Sequence, residues 1–119
     1  MAQLVVSVTH GKSNGDKASL GFVVANAAVL SGVETVVFLR TEGAWLSQRG
    51  YADAIHEPRF NPLQQLIEHF VEMGGTIWVC GSCFRKRGLS EDNLLSNTVV
   101  VGGARLVEFL SKGATCVSY

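Results

Sequence analysis

Apolar residues in this chain fall into short β-branched runs that alternate with stretches of helical spacing. Leu4 to Val8 predicts a first strand. Asp16 is placed to cap a helix reaching about Ser31. Leu20, Val23, Val24, Ala27 and Leu30 would form its apolar stripe, and Gly32 fits the position just past its end. Glu34 to Leu39, with Val36, Val37 and Phe38, predicts a second buried strand. Asn61-Pro62 reads as a helix start, with Asn as cap and Pro at the first helical position. Leu63, Leu66, Ile67, Phe70 and Val71 supply that helix's buried face, and Gly74-Gly75 ends it. Thr76 to Val79 is the third strand. A broken helical region follows from about Cys83 to Leu95, interrupted at Gly88, with Ser90 as a candidate cap. Thr98 to Val101 is the fourth strand, Gly102-Gly103 opens a helix to about Lys112, and Ala114 to Val117 is the last strand.

This β-α alternation predicts a three-layer α/β/α sandwich around a mostly parallel five-stranded sheet, one domain over residues 1–119. The strands are continuous apolar runs, as a sheet covered on both faces requires. Ligands of such sheets bind beyond the carboxyl ends of the strands. Residues Arg40 to Arg59 lack clear periodicity and carry Glu42, Trp45, Arg49, Tyr51 and His56. A segment of that length is often functional, and it is expected to cover the strand ends or pack on a neighbouring subunit.

Composition narrows the function classes. The hydrophobic fraction is 47% and the charged fraction 17%, which describes a soluble, core-rich protein. Ten basic and ten acidic residues cancel, which argues against nucleic-acid binding through a strong overall field. Low net charge with many apolar residues favours a homo-oligomer. No run approaches the roughly 20 apolar residues of a membrane span. Three cysteines without a signal-like start read as cytoplasmic thiols rather than a disulfide framework.

The chemistry concentrates at Cys80-Gly81-Ser82-Cys83, which ends the third strand and leads into Phe84-Arg85-Lys86-Arg87-Gly88. A cysteine at a strand end, beside a helix start and several cations, is in surroundings that stabilise a thiolate. Gly81 lets backbone or substrate approach closely, and Arg85 and Arg87 add positive charge. Cys83 lies one helical turn on, where it would resolve a persulfide or sulfenic acid as a disulfide, or fill a small core position. His10, at the matching end of the first strand, is a candidate proton partner for Cys80 or a loop histidine bonded to backbone.

The chain resembles the DsrE family, which includes the TusD-type sulfur-relay proteins. Asp16-Lys17-Ala18-Ser19-Leu20-Gly21-Phe22 is similar to that family's first helix start. Val37-Phe38-Leu39-Arg40-Thr41-Glu42-Gly43 is similar to its second strand and following loop. Val79-Cys80 with Arg85-Lys86-Arg87-Gly88-Leu89 is similar to its strand-three cysteine and basic turn. The resemblance implies an α/β domain assembling as a trimer, hexamer or hetero-oligomer. It further implies a cysteine, here Cys80, that accepts a sulfane sulfur as a persulfide from a donor protein and passes it to an acceptor. Cys83 departs from the single-cysteine pattern of several sulfur-relay members.

Three readings stand side by side. The first is a small sulfur-handling protein, a sulfurtransferase or sulfur carrier, using Cys80 with Cys83 and with His10, Gly81, Ser82, Arg85 and Arg87 around the anion. The second is a non-catalytic oligomeric binding module. The third is a dithiol–disulfide redox protein using Cys80 and Cys83. No cofactor is implied. Zinc is disfavoured because only one cysteine pair is present and His10, His56 and His69 lack ligand spacing. His10-Gly11-Lys12-Ser13 ends like a phosphate loop, but Val6 stands where the pattern needs its first glycine. Gly102-Gly103-Ala104-Arg105 is a tight turn or an anion site. Cys116 is expected to be a buried core thiol, His69 structural, and Glu42 a helix or interface partner rather than an acid catalyst.

Overall fold

The structure is a computed structural model that describes residues 2–119. Its strands are β1 (Gln3–Val8), β2 (Glu34–Leu39), β3 (Thr76–Cys80), β4 (Thr98–Val101) and β5 (Thr115–Ser118). Its α-helices are α1 (Gly15–Leu30), α2 (Leu63–Glu72), α3 (Gly81–Lys86) and α4 (Gly103–Ser111). Every strand pair is parallel, in the order β4-β3-β2-β1-β5. The expected three-layer α/β/α sandwich is therefore the observed one.

Handedness decides which helix covers which face. The steps from β1 to β2, β3 and β4 all move the same way across the sheet. Right-handed crossovers then put α1, α2 and α3 on one face, and the return from β4 to β5 puts α4 alone on the other. Side-chain alternation along the strands follows. Val6, Val8, Val37, Leu39, Ile77 and Val79 pack with Phe22, Leu63, Phe70 and Phe84 on the first face. Val5, Val36, Phe38, Trp78 and Val101 pack with Leu106, Phe109 and Leu110 on the second. The Phe22 and Phe70 rings meet edge-on at 6.0 Å, and Trp78 meets Phe109 at 5.4 Å.

Several local expectations need correction. The stripe proposed for the first helix is rotated, since Ala18, Ser19, Gly21, Phe22, Ala25 and Asn26 are buried while Leu20 and Leu30 are 38% and 60% exposed. This helix is apolar on nearly every side, so spacing does not single out a face. Close approach does, because a Cβ on Gly21 would sit 2.8 Å from Val8 Cγ2. Its cap is Asn14, whose Oδ1 accepts the Lys17 N–H at 3.1 Å, and Asp16 falls in the first turn, where its charge suits the positive helix end. In α2, Pro62 holds the cap position with extended ψ of 138° and Asn61 makes no cap bond, so helical dihedrals begin at Leu63. Helix α3 begins at Gly81, earlier than Cys83. Ser90 does cap a short 3-10 helix, accepting the Asp92 N–H at 3.2 Å. Cys116 is exposed, not buried, because β5 is an edge strand whose four residues are all exposed.

The Arg40–Arg59 segment folds into 3-10 helices over Thr41–Ser47 and Tyr51–Ala54. The first buries Gly43, Ala44, Leu46 and Ser47 against the carboxyl ends of the chain's own strands.

Candidate functional site at the carboxyl end of strand β3

Helix α3 leaves β3 toward one face of the sheet, and α4 leaves the neighbouring β4 toward the other. Their divergence opens a crevice between the carboxyl ends of β3 and β4, the kind of switch point at which open α/β sheets bind ligands. Cys80 sits on its wall. It is the last residue of β3, pairs with Val101 across the sheet, and holds the cap position of α3. Its side chain is half-buried against the Trp78–Val101 cluster, so it faces the α4 layer. The sulfur is a free thiol and makes no capping hydrogen bond to the first turn of α3.

Gly81 explains how the crevice closes on one side. A Cβ there would lie 3.1 Å from Arg85 Nη1 and 3.3 Å from the Val101 carbonyl oxygen. The missing side chain thus lets the Arg85 guanidinium lie across the backbone directly after Cys80. Ser82, in the same turn, is exposed.

Cys83 belongs to a different layer. It packs with the cluster under α1 and α2, and its Sγ accepts the Thr41 N–H at 3.1 Å. Thr41 has φ of 51°, in the left-handed region that β-branched residues avoid. Its hydroxyl lies 2.8 Å from the Thr9 carbonyl oxygen and 2.7 Å from that of Arg40. Arg87 joins this brace. Its Nη2 donates to Glu42 Oε1 at 3.0 Å and its Nη1 to the Cys83 carbonyl at 3.3 Å, while its buried Nε has no partner. Glu42 is thus the ion-pair partner of Arg87, which follows helix α3. His10 lies past the end of β1, with Nδ1 at 2.9 Å from Thr9 Oγ1, and β2 runs between β1 and β3. The structure therefore gathers Cys80, Gly81 and Arg85. It sets Cys83 and Arg87 behind them as a loop brace and leaves His10 two strands away.

One neighbour of Cys80 in the sheet was not singled out as a site residue from the sequence. The Leu39–Val79 pairing places Arg40 beside Cys80, and Arg40 continues β2 with extended backbone and an N–H bond to the Val8 carbonyl at 3.1 Å. Its Nε donates to Ser7 Oγ at 2.7 Å, on the α4 face. Arg105, in the first turn of α4, lies over the Trp78 ring at 5.3 Å.

Among the described residues, no three His, Cys, Asp or Glu side chains converge in a way that would hold a metal ion, and no helix is long and apolar enough to cross a membrane. A groove of about 440 Å³ lies elsewhere, between Gln48–Asp53, α2 and Leu95–Ser96, and no cysteine lines it.

The DsrE/DsrF-like family model matches residues 2–119. The uncharacterized protein MJ0760 of Methanocaldococcus jannaschii is 30% identical over 110 residues, which is 92% of this chain but only 40% of that protein's length. The uncharacterized protein MJ0989 of the same organism is 23% identical over 117 residues, covering 98% of this chain and 99% of that one. Among solved structures, the ychN protein from E. coli superposes with a TM-score of 0.83 at 16% identity over the full length of both chains. The protein MTH1491 from Methanobacterium thermoautotrophicum does so with a TM-score of 0.72, also at 16% identity and full coverage of both. At those identities the likeness is one of fold.

Proposed function

The chain belongs to the DsrE/DsrF-like family, and from that premise we propose that it handles sulfur, with Cys80 accepting a sulfane sulfur as a persulfide and passing it on. The observation that carries this reading is a half-buried free thiol at the switch-point crevice, with Arg85 lying over the adjoining Gly81.

The step balances without an external oxidant. The Cys80 thiolate attacks the sulfane sulfur of a donor persulfide, a new S–S bond forms at Sγ, and the donor's S–S bond breaks with its thiolate leaving. An acceptor thiolate then attacks the outer sulfur, and Cys80 leaves as thiolate. Arg85 supplies a fixed positive charge beside the anion in both states. Cys83 has its sulfur engaged by Thr41 and packs on the opposite layer, which supports a bracing role and favours carriage over dithiol redox chemistry. Three free cysteines support a cytoplasmic setting. Assembly of identical copies is part of the reading, supported by the thin α4 layer, where Val99 is 50% and Val107 is 64% exposed.

Intact mass spectrometry tests the reading. The reduced protein is treated with glutathione persulfide beside Cys80→Ser and Cys83→Ser. A gain of one sulfur, about 32 Da, that requires Cys80 is the expected result. The same gain in Cys80→Ser sinks the assignment. Loss of two hydrogens that requires both cysteines transfers it to redox chemistry.

A further inference from the structure

Helix α2 has a helical neighbour on one side. There it packs on α1, through the edge-on Phe22 and Phe70 rings and the Asn26 bond to the Leu66 carbonyl at 3.0 Å. On the other side a full-length crossover helix would complete the layer. Helix α3 instead stops after six residues, at Lys86. Gly88 then turns the chain with φ of 62°, and the return to β4 runs through a short 3-10 helix. Beside α2 lies the groove of about 440 Å³.

Gln64, Ile67, Glu68, Val71 and Glu72 line this groove from α2, spaced three and four residues apart as one face of a helix requires. That face is about 12 Å long, just over two turns. Ile67 and Val71 form its apolar centre, continued across the groove by Ala52 and Leu95. The opposite bank is preformed. The Arg49 N–H donates to the Asn93 carbonyl and the Leu95 N–H to the Ser47 carbonyl, each at 2.9 Å. The Gln48 side chain donates to the Ser90 carbonyl at 3.1 Å and accepts the Ser90 N–H at 3.2 Å.

Charge on the rim is one-sided. Asp53, Glu68 and Glu72 stand exposed around the groove, against Arg49 as its single cation. Among the described residues the ion pairs are Arg87–Glu42 and Lys112–Glu108, so none of these three carboxylates is paired. Glu68 accepts from the neutral Gln64 amide at 2.9 Å. The whole chain carries no net charge, so the negative surplus is local.

An apolar stripe flanked by unpaired carboxylates, set where a layer of helices lacks a member, is complementary to an amphipathic helix with cationic edges. We propose that this groove docks such a helix from a partner protein. Its apolar residues, at i, i+3 or i+4, and i+7, lie on Ile67 and Val71, and its lysines or arginines face Asp53, Glu68 and Glu72. The surface is separate from the Cys80 crevice, since no cysteine lines it, and docking there requires no chemistry at Cys80.

Phage-displayed helix-forming peptides of about four turns, randomised on every face, are the probe. Selection uses the full chain at low ionic strength, with counter-selection on Glu68→Lys combined with Glu72→Lys, both at exposed positions. Glu34→Lys combined with Glu108→Lys makes the same charge change outside the groove and is the control. Circular dichroism checks the fold of each, and Glu68→Gln with Glu72→Gln replaces the lysine pair if that pair alters the spectrum. Enriched peptides are expected to carry the apolar pattern with Lys or Arg flanks. By fluorescence anisotropy they should bind the parent and the control alike, and the groove variant roughly tenfold more weakly. Added salt should weaken binding to the parent. No peptide enriched over the groove variant overturns the proposal. So does enrichment of acidic or uncharged peptides, or equal binding to all three proteins. Light scattering addresses the remaining occupant: a lower molar mass for the groove variant alone assigns this surface to a second copy of the chain, and that too overturns the proposal.

Discussion

Replacing Gly43 with alanine tests how the loop after β2 is seated. Gly43 lies in the 3-10 helix that crosses the carboxyl ends of the strands. A Cβ at this position would overlap the Val8 carbonyl oxygen and sit 2.9 Å from its carbon and 3.4 Å from His10 N. All three obstructing atoms are backbone, so no rotamer change relieves the contact. Either the loop lifts or the end of β1 bends. Overpacking usually costs about 1–3 kcal/mol, and a backbone obstacle within a buried segment puts this case at the upper end, near 3 kcal/mol. For a chain of this size 1 kcal/mol shifts Tm by about 4 °C, so Gly43→Ala should melt roughly 12 °C lower. Circular dichroism melts at fixed protein concentration, with urea midpoints to check that the m-value is unchanged, provide the measurement. Gly103→Ala is the control, because nothing lies within 4 Å of a Cβ there, and it should melt at or slightly above the parent. A Gly43→Ala protein melting within about 2 °C of the parent, at the parent's m-value, would refute the seating argued from these distances.

Other positions give smaller but equally definite signals. Asn26 is buried and ties α1 to α2, donating to the Leu66 carbonyl at 3.0 Å with Oδ1 at 3.1 Å from His69 Nδ1; Asn26→Ala should cost about 2 kcal/mol by urea titration. Glu42→Gln should cost less than about 1 kcal/mol in the same assay, because Glu42 is 51% exposed and the amide still accepts from Arg87. Val107→Lys should lower the molar mass seen by light scattering without lowering monomer stability, and an unchanged mass would remove α4 from the contact between copies.

The fold was legible because its strands are apolar runs of uniform type, from Val5-Val6 to Val99-Val100, and β-α alternation admits few topologies. The face of α1 was not legible, since valine and leucine lie round much of it, and its rotation is fixed by tertiary contacts, the close approach of Gly21 to Val8 and the Asn26 bond to the Leu66 carbonyl. Cys116 misled because an edge strand and a central strand look alike when read residue by residue. At the candidate site, Cys80, Gly81 and Arg85 were visible as one contiguous motif. Arg40 was not, because it follows another strand and comes beside Cys80 only through the pairing of β2 with β3. The bracing contact between Cys83 and Thr41, 42 positions apart, was hidden for the same reason, and it separates two thiols that the C-x-x-C spacing had grouped together.

The pairing of β5 with β1 sets a timetable for folding. Thr115 and Gln3 meet across 112 positions, whereas β1 through β4 are joined by successive local crossovers. Closing so long a loop is entropically costly and favours late docking of the last strand. Until it docks, Gln3–Val8 is an open edge, apolar through Leu4, Val5, Val6 and Val8, and able to pair with any extended segment it meets. Refolding at high protein concentration should therefore lose yield at this edge first, and a lysine introduced on β5 would do nothing to prevent it, because the hazard precedes that strand's arrival.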